Sequence, residues 1–327
     1  MSAPELYILG SSSATPTRDR NPSAQILKFG HDKIMIDCGE GTQMRLIQLG
    51  IRHTGLDYIC ISHLHGDHYY GLIGLISSMN LMGRKTALHI IGPPPLKQII
   101  LLQLQEGGKQ PEFELIFHPT NPNEAEFILK TNHFELHSFP LKHQIHCTGF
   151  ILKEAPKERS LHVENIEKYQ VPITFFKNIK AGEDFVNENG ESISYKTLSY
   201  DPKPSHSYAY CSDTIFDLDI VPYIKNTTVL YHEATYLEAL QDKAAERYHS
   251  TAKQAAIIAE HAMVGHLLIG HFSSRYDNLE PLLFEAQSVF ERTALALEGL
   301  KFNIEPNASS EPAVKPTLEF NQVVNLN

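Results

Sequence analysis

Cysteine is scarce: of 327 residues only Cys38, Cys60, Cys147 and Cys211 are cysteine, and they form no CxxC pair. That leaves no paired thiolates for metal or redox chemistry. Three of the four lie beside apolar strand-like runs, which points to buried thiols in a reducing, cytoplasmic setting. Long apolar runs are missing too. None approaches the ~20 residues a membrane span needs, so no membrane association is expected. Met1-Ser2-Ala3-Pro4-Glu5 has neither a basic n-region nor an apolar h-region, and no signal peptide is expected. Basic residues are in deficit, 28 Lys+Arg against 38 Asp+Glu, a formal charge of -10. That argues against a generally basic nucleic-acid binder, and any such contact needs local basic patches. No internal repeat is visible. Hydrophobic content of 42% and charged content of 20% are ordinary for a globular chain. The length suits one large α/β domain or two smaller ones.

What the chain does have is histidine, 18 in all. The stretch Ile61-Ser62-His63-Leu64-His65-Gly66-Asp67-His68 crowds three histidines and an aspartate together, directly after the apolar run Tyr58-Ile59-Cys60-Ile61. Folding gives no reason for this, because neutral imidazoles and a carboxylate are costly to bury without partners. A metal ion offsets that cost.

Short apolar runs alternate with helical patterns, which favours an α/β architecture. Leu6–Leu9, Ala24–Phe29 and Lys33–Ile36 read as strands joined by turn-rich segments. Thr42–Leu49, Pro94–Glu106, Glu233–Arg247, Ala252–Met263 and Leu279–Leu297 read as helices. Between Leu152 and Ser205 the texture changes, with 8 Lys+Arg against 9 Asp+Glu, scattered prolines and the turn-like Asn187-Glu188-Asn189-Gly190. This interrupts two ligand-bearing regions and reads as an inserted substructure. Residues 301–327 are polar and read as a flexible tail.

Four strand-like runs each end on candidate ligands. Tyr58–Ile61 leads to His63, His65, Asp67 and His68; Phe134–Leu141 leads to His143; Ser207–Cys211 leads to Asp213; His266–Ile269 leads to His271. Gathering distant residues at the carboxyl ends of strands is how an α/β scaffold builds one rim. Histidine and aspartate without thiolate suit a borderline divalent ion such as zinc. Seven ligands are too many for one tetrahedral ion. Two ions fit the count, His63, His65 and His143 on one, Asp67, His68 and His271 on the other, with Asp213 bridging. His31, His53, His89, His118, His133, His137, His162, His206, His261 and His266 read as surface or satisfied core residues, and His146 stays open.

The HxHxDH motif after a strand resembles the metallo-β-lactamase superfamily, whose fold is an αββα sandwich with metals at one edge. Further motifs narrow the resemblance to ribonuclease Z, the endonuclease family that matures tRNA 3′ ends. Asp37-Cys38-Gly39-Glu40-Gly41-Thr42-Gln43 is similar to its DxGEGTQ signature, and Ser62 to Gly74 to its extended histidine motif. His232-Glu233-Ala234-Thr235 resembles its HEAT motif, His249-Ser250-Thr251 its HST motif, and Gly270-His271-Phe272-Ser273-Ser274-Arg275-Tyr276 its final ligand motif.

The resemblance implies a catalytic domain over residues 1–300 with an inserted, protruding tRNA-binding arm over 152–205. It implies two Zn2+ per subunit, precursor tRNA as substrate and a homodimer. It gives Asp67 a second role as partner of the attacking water, and makes Glu233 and His249 a pair that protonates the leaving oxygen. Ser250-Thr251 would also cap the helix from Ala252. In the arm a Lys-x-Gly remnant survives at Lys180-Ala181-Gly182, while the family's Gly-Pro pair is absent. Arg18, in Pro16-Thr17-Arg18-Asp19-Arg20-Asn21, stands where lysine is common and still offers a charged donor to phosphate. Two rival readings remain beside this one: a phosphodiesterase for other substrates on the same metal site, and an RNA-binding scaffold without catalysis.

Overall fold

The computed structural model describes residues 3–108 and 110–305. They fall into two compact units, residues 3–153 with 206–305, and Glu154–Ser205.

The larger unit is built on two seven-stranded sheets. In the first, the order is Lys301–Asn303, Glu5–Gly10, Ala24–Phe29, Asp32–Cys38, Tyr58–Cys60, Leu88–Gly92, Leu115–Pro119. The first four are antiparallel neighbours, and from Asp32–Cys38 onward the pairing is parallel. The second runs Thr293–Leu295, His266–Gly270, Val229–Glu233, Ser207–Cys211, Cys147–Glu154, Phe134–Leu141, Glu126–Lys130. Its first four strands are parallel, and Ser207–Cys211 meets Cys147–Glu154 antiparallel.

The pleat sorts the side chains. Ile34 and Ile36 join a core cluster that also holds Phe150, Tyr210, Tyr231 and Leu268 of the other sheet, while Met35 between them packs on the outer face with Leu72 and Leu75 of a helix. In the second sheet Leu268 faces inward, and Leu267 and Ile269 face the helix Ala252–His261. Alternate residues thus fill different layers, as strands covered on both faces require. The result is the expected αββα sandwich.

Two predicted helices are shorter than expected. Within Glu233–Arg247, Glu233 instead ends the strand Val229–Glu233, and only Glu238–Leu240 and Gln241–Glu246 are helical. Within Leu279–Leu297 the helix is Glu280–Gln287, and Thr293–Leu295 forms an edge strand on Leu267–Ile269. In both cases sheet pairing overrides local helical preference. Thr251 caps Ala252–His261, sharing a reciprocal capping box with Gln254. Lys301–Asn303, placed by the sequence in the tail, pair with Glu5–Tyr7 because the first sheet offers an open edge there. The rest of that tail, from residue 306, lies outside the described residues.

The smaller unit has its own apolar cluster of Ile166, Val171, Ile179, Phe185, Ile193 and Leu198. Around it lie the helices Val163–Lys168, Phe176–Ala181 and Tyr195–Leu198 and two short antiparallel ladders. Gly190, at φ 81°, closes the Asn187–Glu191 turn. Gly182, at φ 92°, ends the helix Phe176–Ala181 in the left-handed conformation a helix stop uses.

Candidate metal centre

Every candidate ligand sits just past the carboxyl end of a strand, and strands of both sheets contribute. Two sets of donor atoms converge: His63, His65, His143 and Asp213, and Asp67, His68 and His271. The Nε2 atoms of His63 and His143 each lie 3.1 Å from Nδ1 of His65. Asp213 divides its oxygens between the sets. Its Oδ2 is 3.7 Å from His63 Nε2 and 3.9 Å from His143 Nε2. Its Oδ1 is 3.4 Å from His68 Nε2 and 3.2 Å from His271 Nε2. Asp67 Oδ2 faces the same two imidazoles at 3.4 and 3.5 Å.

The surroundings orient these rings. His63 Nδ1 meets Ser62 Oγ at 3.0 Å, His68 Nδ1 meets Asp37 Oδ2 at 2.7 Å, His143 Nδ1 meets the Tyr248 carbonyl at 3.0 Å, and His271 Nδ1 meets Thr235 Oγ1 at 2.9 Å. With Nδ1 engaged, Nε2 presents its lone pair inward. The buried Nε2 atoms of His68 and His271 have no hydrogen-bond partner. Orphaned nitrogens aimed at shared carboxylate oxygens are what a divalent cation satisfies. The donor set therefore fits a metal.

Electrostatics agree. Burial, with His68 beside it, holds His63 well below the ordinary imidazole range, and burial also lowers His65 and His143. Neutral imidazoles are the form that binds metal. For His68 burial opposes the charge, but Asp213, Asp67 and Asp37 outweigh it and raise the ring well above its usual value. A bound cation would supply that positive charge without the proton. Asp67 and Asp213 are held below the carboxylate range, because neighbouring imidazoles overcome their burial.

Glu233 and His249 stand apart from this pattern. Glu233 is fully buried, and its oxygens accept from His249 Nδ1 (2.9 Å), the backbone N–H of Ser250 (2.9 Å), Thr214 (3.3 Å) and Thr235 (2.9 Å), and the Thr235 hydroxyl (2.7 Å). Nothing of Glu233 is left over for an ion. His249 also lies near Asp213 and His271, in a third converging group. Its Nδ1, however, is 2.9 Å from Glu233 and 3.9 Å from Asp213, so that nitrogen belongs to the glutamate. Burial works against the imidazolium, but Glu233 and then Asp213 outweigh it and lift His249 to about 9.

All of this opens on a cleft of about 720 Å3 lined by His65, Asp67, His143, Asp213, His249 and His271. Lys243, Arg247 and Arg275 line it too, the local basic groups that an overall acidic chain needs to meet phosphate. Arg18 is exposed, while Arg20 of the same loop donates to the Ser273 carbonyl at 3.4 Å. Among the histidines read as bystanders, His89 meets His118 at 2.9 Å and His133 meets Asp32 at 3.0 Å. His146 meets Thr120 at 3.1 Å and joins none of the ligand groups among the described residues.

Sequence reasoning assigned no role to Asp37. It is fully buried at φ 57° and accepts from Ser62 N–H (2.8 Å), Ser62 Oγ (3.0 Å) and Tyr210 OH (2.7 Å) besides His68. Its signal was available: a carboxylate next to last in an apolar strand, two residues before a glycine. Thr235, which joins His271 to Glu233, had no such signal.

The comparisons with known proteins follow the same line. Residues 4–160 match a family model described as Anti-Pycsar protein Apyc1, a stretch that stops short of Asp213, Glu233, His249 and His271. Ribonuclease Z of Cytophaga hutchinsonii is 44% identical over 94% of this chain and 98% of its own length. That of Parabacteroides distasonis is 40% identical over 92% of this chain and 99% of its own. Among solved structures, the short form of human tRNase Z superposes with a TM-score of 0.68 at 22% identity, covering 92% of this chain and 99% of that one. The metallo-β-lactamase fold protein YhfI from Bacillus subtilis gives 0.65 at 17%, covering 92% and 99%. The fold is thus the metallo-β-lactamase fold, and whole-length identity of this order makes the chain a member of the ribonuclease Z family.

Proposed function

We propose that this protein is a zinc-dependent endoribonuclease that removes 3′ trailers from precursor tRNA, cutting just past the discriminator nucleotide. The products are a tRNA with a 3′-hydroxyl and a trailer with a 5′-phosphate. The observation that carries this reading is the separation of two kinds of group in one cleft. Seven residues converge on two positions, while Glu233 lies outside them and engages Nδ1 of His249, whose ring also neighbours Asp213 and His271.

His63, His65 and His143 would hold one Zn2+, Asp67, His68 and His271 a second, and Asp213 would serve both. Bound there, the ions would supply an acidified water and charge neutralisation at the phosphate. The protein's own groups do the rest. Asp67 accepts a hydrogen bond from the attacking water and orients it. His249, protonated and steadied by Glu233, delivers its proton to the departing 3′-oxygen. Lys243, Arg247 and Arg275 hold the flanking phosphates. Residues 154–205, with a core of their own, serve as the arm that binds the tRNA body, in keeping with recognition of folded RNA by shape and backbone. The working form is a cytoplasmic homodimer. No helix among the described residues is long and apolar enough to cross a membrane.

The test offers purified protein a labelled precursor tRNA and bis(p-nitrophenyl) phosphate, each with and without chelator. Cleavage of both that stops with chelator and returns with zinc is expected, alongside a metal content near two per chain. Hydrolysis of the small diester without any cut at the tRNA 3′ end would assign the site to another phosphodiester.

A further inference from the structure

One buried carboxylate lies outside every role described so far. Glu298 sits on the crossover between Thr293–Leu295 of the second sheet and Lys301–Asn303 of the first. Its backbone is tied to both. Ala296 donates to the Ile269 carbonyl (2.8 Å), Gly299 donates to the Ile8 carbonyl (2.9 Å), and the Leu300 carbonyl accepts from Ile8 (3.1 Å). The Glu298 side chain is 6% exposed, with Arg45 Nε 3.5 Å from Oε2. Its Oε1 accepts from the backbone N–H of Asn21, in a short contact, and of Ser11 at 3.3 Å. Its Oε2 accepts from Asn21 Nδ2 at 2.8 Å.

Ser11 and Asn21 are the two ends of one loop, which joins Glu5–Gly10 to Ala24–Phe29. A single carboxylate therefore spans the loop's neck. Backbone bonds close the neck further, with Ser11 and Ser12 N–H both on the Asn21 carbonyl (3.0 and 2.9 Å). At the far side of the loop Ala14, at φ 60°, donates its N–H to Asp67 Oδ2 at 2.7 Å. That is the oxygen facing His68 and His271. Once its neck is fixed, the loop has little freedom in where it aims that N–H.

We propose that Glu298 is a positioning residue, clamping the neck of the Ser11–Asn21 loop so that Ala14 N–H holds Asp67 in its working orientation. This rests on the role given to Asp67 above. A buried, fully satisfied carboxylate rigidifies what it binds, and a mismatch there loosens it.

The test exchanges donors and acceptors across the neck. Glu298→Gln trades the charged acceptor for a neutral amide, whose NH2 is met only if the Asn21 amide turns over, and Asn21→Asp sets carboxylate against carboxylate. The double exchange puts donor opposite acceptor again. Each single change is expected to lower kcat about tenfold on both bis(p-nitrophenyl) phosphate and precursor tRNA, the worth of one hydrogen bond to a charged group. The loss should fall on kcat more than on KM for the small diester, because Ala14 N–H acts on Asp67, even though Ser13 to Pro16 of the loop line the cleft. The double variant should recover most of the lost kcat. Unchanged kcat in both single variants overturns the proposal, and so does a double variant that stays as impaired as they are. Should either single variant fail to fold, Asn21→Ala removes one donor and keeps Glu298's other contacts; unaltered kcat there also overturns it. A wild type that hydrolyses the diester but not precursor tRNA would defeat the substrate reading and leave this test standing.

Discussion

A histidine that is to give up a proton must first be made to keep one. Burial strips solvent from His249, and Glu233 at 2.9 Å restores the positive charge that burial alone would remove. His249→Ala is therefore expected to leave metal content and substrate affinity nearly unchanged. Turnover on precursor tRNA should fall ~10²–10⁴-fold, the usual contribution of a positioned acid. The deficit should shrink on a nitrophenyl diester, whose leaving group departs without a proton. Equal losses on both substrates, or loss of metal, would count against leaving-group protonation. Glu233→Gln removes the charge that supports the imidazolium and sets an NH2 among backbone N–H donors, where only the Thr235 hydroxyl or a neutral His249 ring can accept from it.

The helix Ala252–His261 starts three residues after His249, and its cap shows how an element can be tested apart from the chemistry. Thr251 Oγ1 accepts from Gln254 N–H at 3.2 Å and donates to Glu238 Oε2 at 2.6 Å. Thr251→Ala should cost about 1 kcal/mol in a denaturant melt while metal content holds. No change in midpoint would mean the capping box contributes nothing here. This cap was legible because a cap is local, fixed by residues three apart. The strands Ala24–Phe29 and Val229–Glu233 were not equally so. The first is a short apolar run bounded by turn-rich segments, but the second runs on into Glu233-Ala234-Thr235-Tyr236-Leu237, whose spacing suits a helix, and only the neighbouring strands decide. The ligand motifs were legible because metal donors must sit close in sequence or directly after strands. The Ala14 N–H on Asp67 and the Glu298 clamp were not, since a backbone donor has no signature and 277 residues separate Asn21 from Glu298.

For the molecule as a whole, the question is whether residues 154–205 serve the substrate or the fold. Lys153 pairs directly with Ser207 in the antiparallel strands that flank the smaller unit, so the larger unit's sheet is already in register without it. Replacing residues 154–205 with Asn-Gly, which with His206 makes a three-residue loop, is compatible with that pairing. Such a protein should keep its metal and its hydrolysis of a small diester, and lose affinity for precursor tRNA in a binding titration. Parallel loss of both activities would mean the segment supports the metal-bearing unit.

The converging donors come from both sheets, His63, His65, Asp67 and His68 from the first, His143, Asp213 and His271 from the second. Cations held there would cross-link layers otherwise joined by packing and a few buried hydrogen bonds, making occupancy and folding linked equilibria. Free metal at a hundred times its dissociation constant adds roughly 2.7 kcal/mol to the folded state for each site. The melting point of this protein would then be not a constant of the chain but a function of the metal-ion activity around it.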